Sequence, residues 1–179
     1  PTPTRLVTGP VVDYGYEGRV LLAAPVTVPA THKAGSAVPI AADIRYVICR
    51  EVCISATARA TLAGATVPAA ERQARFAETR KRWPVALPAG ATATARRDGD
   101  ALTLALQTGA REATAQFFPL AEGVIDNVGR ATVTAQARGV QISLPLADPS
   151  SPLPPTLRGV VVLSGDRAYT IDAPLTTPR

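Results

Sequence analysis

Asp43-Ile44-Arg45-Tyr46-Val47-Ile48-Cys49-Arg50-Glu51-Val52-Cys53-Ile54 holds the only two cysteines of the chain, with three residues between them. Ile44, Tyr46 and Ile48 alternate with Asp43, Arg45 and Val47, the period of a half-buried strand. Such a strand delivers Cys49 to its end. A short turn through Arg50, Glu51 and Val52 then brings Cys53 alongside. Ile54 to Leu62 carries small residues in alternation and is expected to pair back.

Working outward, the chain reads as scaffold around that pair. Residues 1–12 are extended and punctuated by proline, and the opening Pro1-Thr2-Pro3 reads like a mature or excised fragment without a signal peptide. Asp13-Tyr14-Gly15-Tyr16-Glu17-Gly18 is dense in aromatics for a chain with only four tyrosines. Its glycines permit a tight loop. That loop either covers a core edge or shields something reactive. Arg19 to Val28 reads as a strand bent or ended near Pro25. Residues 29–37, with His32, Lys33 and Gly35, read as a polar loop, and Val38 to Ile48 as the next strand.

Ala69 to Trp83 contains neither glycine nor proline and is rich in helix formers. Glu71 with Arg75, and Glu78 with Arg82, stand four apart in the favourable order. Phe76 and Trp83 are expected to anchor one face, Arg80-Lys81-Arg82 to form a solvated end, and Pro84 to stop the helix. From Thr92 the pattern is β again. Leu102, Leu104 and Leu106 alternate, as do Val140, Ile142, Leu144 and Leu146. Val160 to Leu163 is a continuous apolar run that suits a central strand. Turns are expected at Asp98-Gly99, Asn127-Val128-Gly129, Arg138-Gly139 and Ser164-Gly165-Asp166, with a proline- and serine-rich loop over 145–155. Short strands at this spacing indicate an immunoglobulin-like sandwich.

Composition narrows the function. With 46% apolar residues a core can be buried, and no apolar run approaches the roughly 18 residues a membrane helix needs. The net charge of +5 comes from scattered arginines, not a basic stripe with interleaved aromatics, so nucleic acid is not an expected partner. Absent methionine and a single histidine argue against a copper site. Two cysteines and one distant histidine fall short of the four ligands of structural zinc. No cofactor or metal is expected.

A disulfide between Cys49 and Cys53 closes a five-residue loop, which on the chain-entropy model is worth roughly 2 kcal/mol, against about 3 for fifteen residues. Redox work is one reading: one thiolate attacks a partner disulfide and the other resolves the mixed disulfide. Arg50 favours a thiolate electrostatically and Glu51 opposes it. A minor structural disulfide, or two buried thiols, is the other reading, in which the chain is a non-catalytic structural or protein-binding β-sandwich.

Gly9-Pro10-Val11-Val12-Asp13-Tyr14-Gly15-Tyr16-Glu17-Gly18-Arg19-Val20-Leu21-Leu22, followed by Ala42 to Ile54, resembles the periplasmic N-terminal region of the DsbD and ScsB family of membrane thiol-disulfide reductases. Phe117-Phe118-Pro119, Gly123 to Asn127 and Leu157 to Leu163 are similar to its ScsB-type branch. The resemblance implies a mainly β chain: two immunoglobulin-like β-sandwich domains joined by a short α-helix, the first incomplete at its N-terminus. The divisions are 1–66, a helical linker over 67–90, 91–175, and the start of a linker at 176–179.

It further implies a protein-disulfide reductase domain on the periplasmic side of an inner-membrane protein, touching the membrane only through the rest of that protein. Electrons reach it from a thioredoxin-like domain of the same reductase. They leave to periplasmic thioredoxin-fold proteins of ScsC type, with a link to copper tolerance. Cys53 becomes the attacking thiol and Cys49 the resolving one. Val12, Asp13, Tyr14 and Tyr16 match the family's capping loop, with Tyr14 as the shield. Two departures stand out. DsbD places five residues between its cysteines where this chain has three. The family's strands before the capping loop also have no counterpart here, so they are trimmed or supplied by another chain.

Overall fold

The computed structural model describes residues 1–33, 36, 38–62 and 68–176. Gly35, the end of the domain boundary expected near residue 66, and Thr177-Pro178-Arg179 fall outside the described residues. In chain order the elements are β1 (Thr4–Thr8), β2 (Val11–Gly15), β3 (Ile40–Cys49), β4 (Cys53–Leu62), α1 (Ala69–Arg80), β5 (Val85–Ala86), β6 (Thr92–Asp98), β7 (Ala101–Gln107), β8 (Ala115–Pro119), β9 (Thr132–Gln136), β10 (Gly139–Pro145), β11 (Thr156–Leu163) and β12 (Arg167–Thr176). The chain is mainly β, and among the described residues the single helix, of 12 residues, is too short to cross a membrane.

Two compact units share it. The first contains Val7–Val11 and Glu17–Arg82, and the second Thr2–Leu6, Val12–Tyr16 and Trp83 onward. The β1–β2 hairpin therefore gives its tip to one unit and its legs to the other.

In the first unit β3 and β4 form a two-stranded antiparallel hairpin, with Ile40 opposite Leu62 and Cys49 opposite Cys53. The expected return strand is present. The expected half-burial is not: Ile44, Tyr46 and Ile48 are 44%, 42% and 58% exposed. A two-stranded sheet has no second layer of its own to cover a face. Arg19 to Val28 forms no strand, because it finds no ladder partner among the described residues.

Helix α1 ends at Arg80, before Trp83. Arg82 N–H bonds to the Thr79 carbonyl, tightening the last turn ahead of Pro84. Trp83 thus does not share a helix face with Phe76, whose ring lies under the Arg80 guanidinium at 5.9 Å. Glu71 pairs with Arg75 at 2.6 Å as expected, but Glu78 takes Lys81 at 2.6 Å instead of Arg82, which lies beyond the helix end.

The second unit is the sandwich. Its strands run in the order β8-β11-β12-β6-β7-β10-β9, with β5 added parallel to β12. The two halves join where β12 meets β6 in parallel, Leu175 opposite Ala95. The alternation read from the sequence becomes register: Leu102 faces Leu144, Leu104 faces Ile142, and Leu106 faces Val140. All six are buried. From the other half, Phe117, Leu157, Val161, Leu163 and Ile171 close the core. Burying each large side chain contributes about 1.5–3 kcal/mol. The apolar run at 160–163 is indeed central, held by β8 on one side and β12 on the other.

Two glycines are required by packing. A methyl group on Gly139 would collide with the Leu106 carbonyl, and one on Gly159 with the Phe118 carbonyl and the Phe117 ring.

Candidate functional site: a disulfide at a hairpin tip

The ten-residue strands β3 and β4 end together at Cys49 and Cys53, which are joined by a disulfide with a Cα separation of 4.1 Å. That spacing belongs to the closer, non-hydrogen-bonded kind of antiparallel pair, in which facing side chains point the same way. The three-residue turn is tied by Arg50 N–H donating to the Val52 carbonyl at 3.2 Å. Arg50, Glu51 and Val52 are exposed, Cys53 is exposed, and Cys49 is half-buried.

Side chains alternate between faces, so register fixes the neighbours of the sulfurs. Going down the disulfide face come Val47 with Ser55, Arg45 with Thr57, then Asp43 with Arg59. Asp43 and Arg59 approach to 3.5 Å with both side chains exposed, a pair worth little in water. The nearest charge on this face, Arg45, is four residues from Cys49, or about 13 Å along the strand. Arg50 and Glu51 in the turn are thus the closest charged residues along the hairpin. The opposite face carries Ile44 with Ala58, Tyr46 with Ala56, and Ile48 with Ile54.

The other expected site residues lie in the second unit. What reads as an aromatic loop is largely strand β2. Val12 is buried, Asp13 is exposed, and Tyr14 meets the Phe118 ring edge-on at 5.1 Å between centroids. Burial raises the Tyr14 phenol above its usual value, nearby Arg5 lowers it, and Asp126 raises it further. Tyr16 follows the end of β2 and is 40% exposed.

Sequence reasoning missed a buried carboxylate. Glu112, fully buried, accepts two hydrogen bonds from Arg167 Nη2 at 2.8 and 2.7 Å, and one from Thr108 Oγ1 at 3.0 Å. Nothing in the local pattern around Glu112 marks it, since its partner is 55 residues away.

An exposed disulfide at a hairpin tip is open to thiolate attack in the oxidised state and offers two adjacent thiols in the reduced state. This suits thiol-disulfide exchange. No family model and no curated protein matches the chain. Among solved structures it is similar to the N-terminal periplasmic domain of ScsB from Proteus mirabilis, with a TM-score of 0.55 and 17% identity over 72% of this chain. The match spans 54% of that structure's chain, so this chain corresponds to about half of it. The likeness is one of fold, and it is the fold that the sequence resemblance implied: the chain is built like an ScsB-type N-terminal domain.

Proposed function

We propose that the chain is a periplasmic thiol-disulfide exchange module of an ScsB-type membrane reductase, acting through Cys49 and Cys53. The observation that carries this reading is the disulfide itself, closed across the last register pair of the hairpin with Cys53 exposed. The likeness of fold and the sequence motifs support it.

In the reduced module the Cys53 thiolate attacks one sulfur of a partner disulfide. A mixed disulfide forms, and the partner's other sulfur leaves as a thiolate that takes up a proton. The Cys49 thiolate then attacks Cys53 Sγ, forming the Cys49–Cys53 bond and releasing the partner's second thiolate. Two electrons pass to the partner, and the thioredoxin-like domain of the same reductase restores the dithiol. Cys53 is assigned the first attack because it is the more exposed residue, and the resemblance assigns it the same role. The recipients are periplasmic thioredoxin-fold proteins, and the copper-tolerance role rests on the resemblance alone.

In this reading Val12, Asp13, Tyr14 and Tyr16 form the cap, which the sequence motif supports. The divisions at 1–66, 67–90 and 91–175 belong to the same proposal, with the sandwich as a non-catalytic positioning domain. So does attachment to the inner membrane through the rest of the reductase.

The test is the redox equilibrium of Cys49–Cys53 in glutathione and dithiothreitol buffers, read by alkylation and mass shift. A midpoint within the range of known oxidoreductases, about −120 to −270 mV, is expected. A potential below about −300 mV would move the disulfide to a structural role.

A further inference from the structure

Strand β4 carries Cys53 at its first position and, among the described residues, has β3 as its one neighbour. Its other edge is a row of unpaired main-chain groups, which proteins guard with charge, proline, bulges or shortness. The outermost strands of the sandwich, β8 and β9, are five residues each. β4 is ten residues long, pairs with β3 one-to-one without a bulge, and holds no proline. Its one charged residue, Arg59, comes after six uncharged positions that begin at Cys53. β3, by contrast, carries both Asp43 and Arg45. The edge of β4 beside the disulfide is therefore long and unguarded.

Register fixes which groups that edge offers. Cys49 and Cys53, with Cα atoms 4.1 Å apart, form a non-hydrogen-bonded pair. The next pair toward the turn is closed by Arg50 N–H donating to the Val52 carbonyl, as the alternation requires. Residues of non-hydrogen-bonded pairs turn their N–H and C=O away from the facing strand. On β4 these are Cys53, Ser55 and Thr57, all exposed. An antiparallel strand added here would make a hydrogen-bonded pair with Cys53 itself, at a Cα separation of about 5.5 Å. A disulfide spans Cα separations of about 4.4–6.8 Å. Directly opposed residues share a face, so a cysteine at that position falls in a row with Cys53 and Cys49.

We propose that the free edge of β4 docks the exchange partner as an added antiparallel strand, with the partner's cysteine opposite Cys53. This rests on the thiol-disulfide reading of the cysteine pair. The occupant's chemistry follows from register. The residue just before the partner's cysteine falls opposite Ile54, and the third before it opposite Ala56. Those positions belong to the face of Ile48 and Tyr46, and Ile54 is 63% exposed. The second residue before the cysteine falls opposite Ser55. The partner segment is thus extended, with apolar residues alternating with small polar ones up to its cysteine. Its main chain supplies most of the recognition. The Cys53 thiolate attacks the partner's cysteine sulfur, and that sulfur's former mate leaves as a thiolate and takes up a proton. The Cys49 thiolate then attacks Cys53 Sγ from the side away from the partner, whose cysteine leaves as a thiolate. Three sulfurs in a row across three strands give the in-line approach this displacement needs.

The test uses the full 179-residue chain. Acetyl-Thr-Val-Thr-Val-Cys-amide is tethered by disulfide to Cys53 of the Cys49→Ser variant, and amide hydrogen exchange is followed by NMR. The outward Ser55 and Thr57 amides should slow at least about tenfold, while those of Ile54 and Ala56, which face β3, should not change. Acetyl-Cys-Val-Thr-Val-Thr-amide, whose chain runs off the hairpin tip, should protect neither. A second measurement, on the native reduced chain, carries the test where Cys49→Ser loosens the hairpin. The first peptide is supplied as its disulfide with glutathione, and oxidation of the chain is timed. N-methylation of its second threonine removes the bond to the Ser55 carbonyl and should slow the reaction about three- to tenfold, the scale of one hydrogen bond. N-methylation of its first valine, whose N–H points away from β4, should leave the rate within about twofold. Unprotected Ser55 and Thr57 amides, or equal effects of the two methyl groups, would overturn the docking while exchange at the cysteines stands. Protection by the second peptide instead would do the same. So would Ser55 and Thr57 amides already protected before tethering in a chain that sediments as a dimer, which would assign the edge to a second copy. The exchange reading itself fails separately, in the glutathione and dithiothreitol titration.

Discussion

Glu112 has no exposed surface, and its carboxylate is held by both of its oxygens on Arg167 Nη2, at 2.8 and 2.7 Å. The two residues join the loop after β7 to the start of β12, and Glu112 N–H also donates to the Gly139 carbonyl at 3.2 Å. Burial pushes the Glu112 carboxyl up, but the hydrogen bonds from Arg167 and Thr108 outweigh it and leave the group below its usual value.

A group whose folded value is depressed stabilises above its unfolded value, and that stability is lost as pH falls through the folded value. The sandwich should therefore lose stability on acidification from about pH 4.3 downward, the ordinary glutamate value. Glu112→Gln should flatten that part of the pH profile. Arg167→Ala strands a buried carboxylate and should cost about 2–4 kcal/mol at neutral pH, near the low end of a buried pair because Arg167 is half-exposed. Urea denaturation across pH checks both, and a profile unchanged by Glu112→Gln would remove Glu112 as the titrating group.

Under the proposed mechanism, Cys49→Ser leaves Cys53 without its resolving partner. A reduced Cys49→Ser chain mixed with an oxidised thioredoxin-fold protein should accumulate a stable mixed disulfide, visible as a mass shift. Cys53→Ser should trap at least tenfold less, since the remaining cysteine, Cys49, is the half-buried residue of the pair. The reverse order of trapping would exchange the two roles.

The two units should answer truncation differently. Leu104 is completely buried, and Leu104→Ala should cost about 2–5 kcal/mol. Ile54 is 63% exposed, and Ile54→Ala should stay within about 0.5 kcal/mol. Thermal and urea unfolding of both variants decides the matter. A large loss at Ile54 would mean that the hairpin face is covered in solution.

Glycine substitutions separate close packing from backbone strain. Gly139→Ala drives a methyl group against the Leu106 carbonyl and should cost about 3 kcal/mol, at the upper end for overpacking. Gly99 has open space around it but a φ of +60°, so Gly99→Ala should cost about 1–2 kcal/mol from the left-handed backbone alone. Equal losses at the two positions would show that the Leu106 backbone yields.

Much was legible in the sequence because it depends on short-range periodicity. Leu102, Leu104 and Leu106 against Val140, Ile142 and Leu144 announced two strands with one buried face, and a side-chain period of two leaves one register that buries both rows. The cysteine spacing announced a turn that brings two sulfurs together, and the hairpin places them opposite each other. Where a segment's state depends on a distant partner, the local reading failed. Arg19 to Val28 has the pattern of a strand but no ladder partner among the described residues, and a strand without hydrogen-bonded neighbours does not form. Asp13 to Gly18 reads as a tight loop, yet Asp13 to Gly15 belongs to β2, which pairs with β1, and Tyr14 gains Phe118 as a ring partner.

The sequence by itself determined the β character, the sandwich core, and the pair of cysteines brought together across a turn, because each follows from the order of residues a few positions apart. Only the tertiary structure decided that Glu112 is buried on Arg167, and that β4 has no neighbour but β3 among the described residues. Those arrangements depend on which distant strands meet. That choice is made by the packing energy of the whole core, and no local stretch of the chain encodes it.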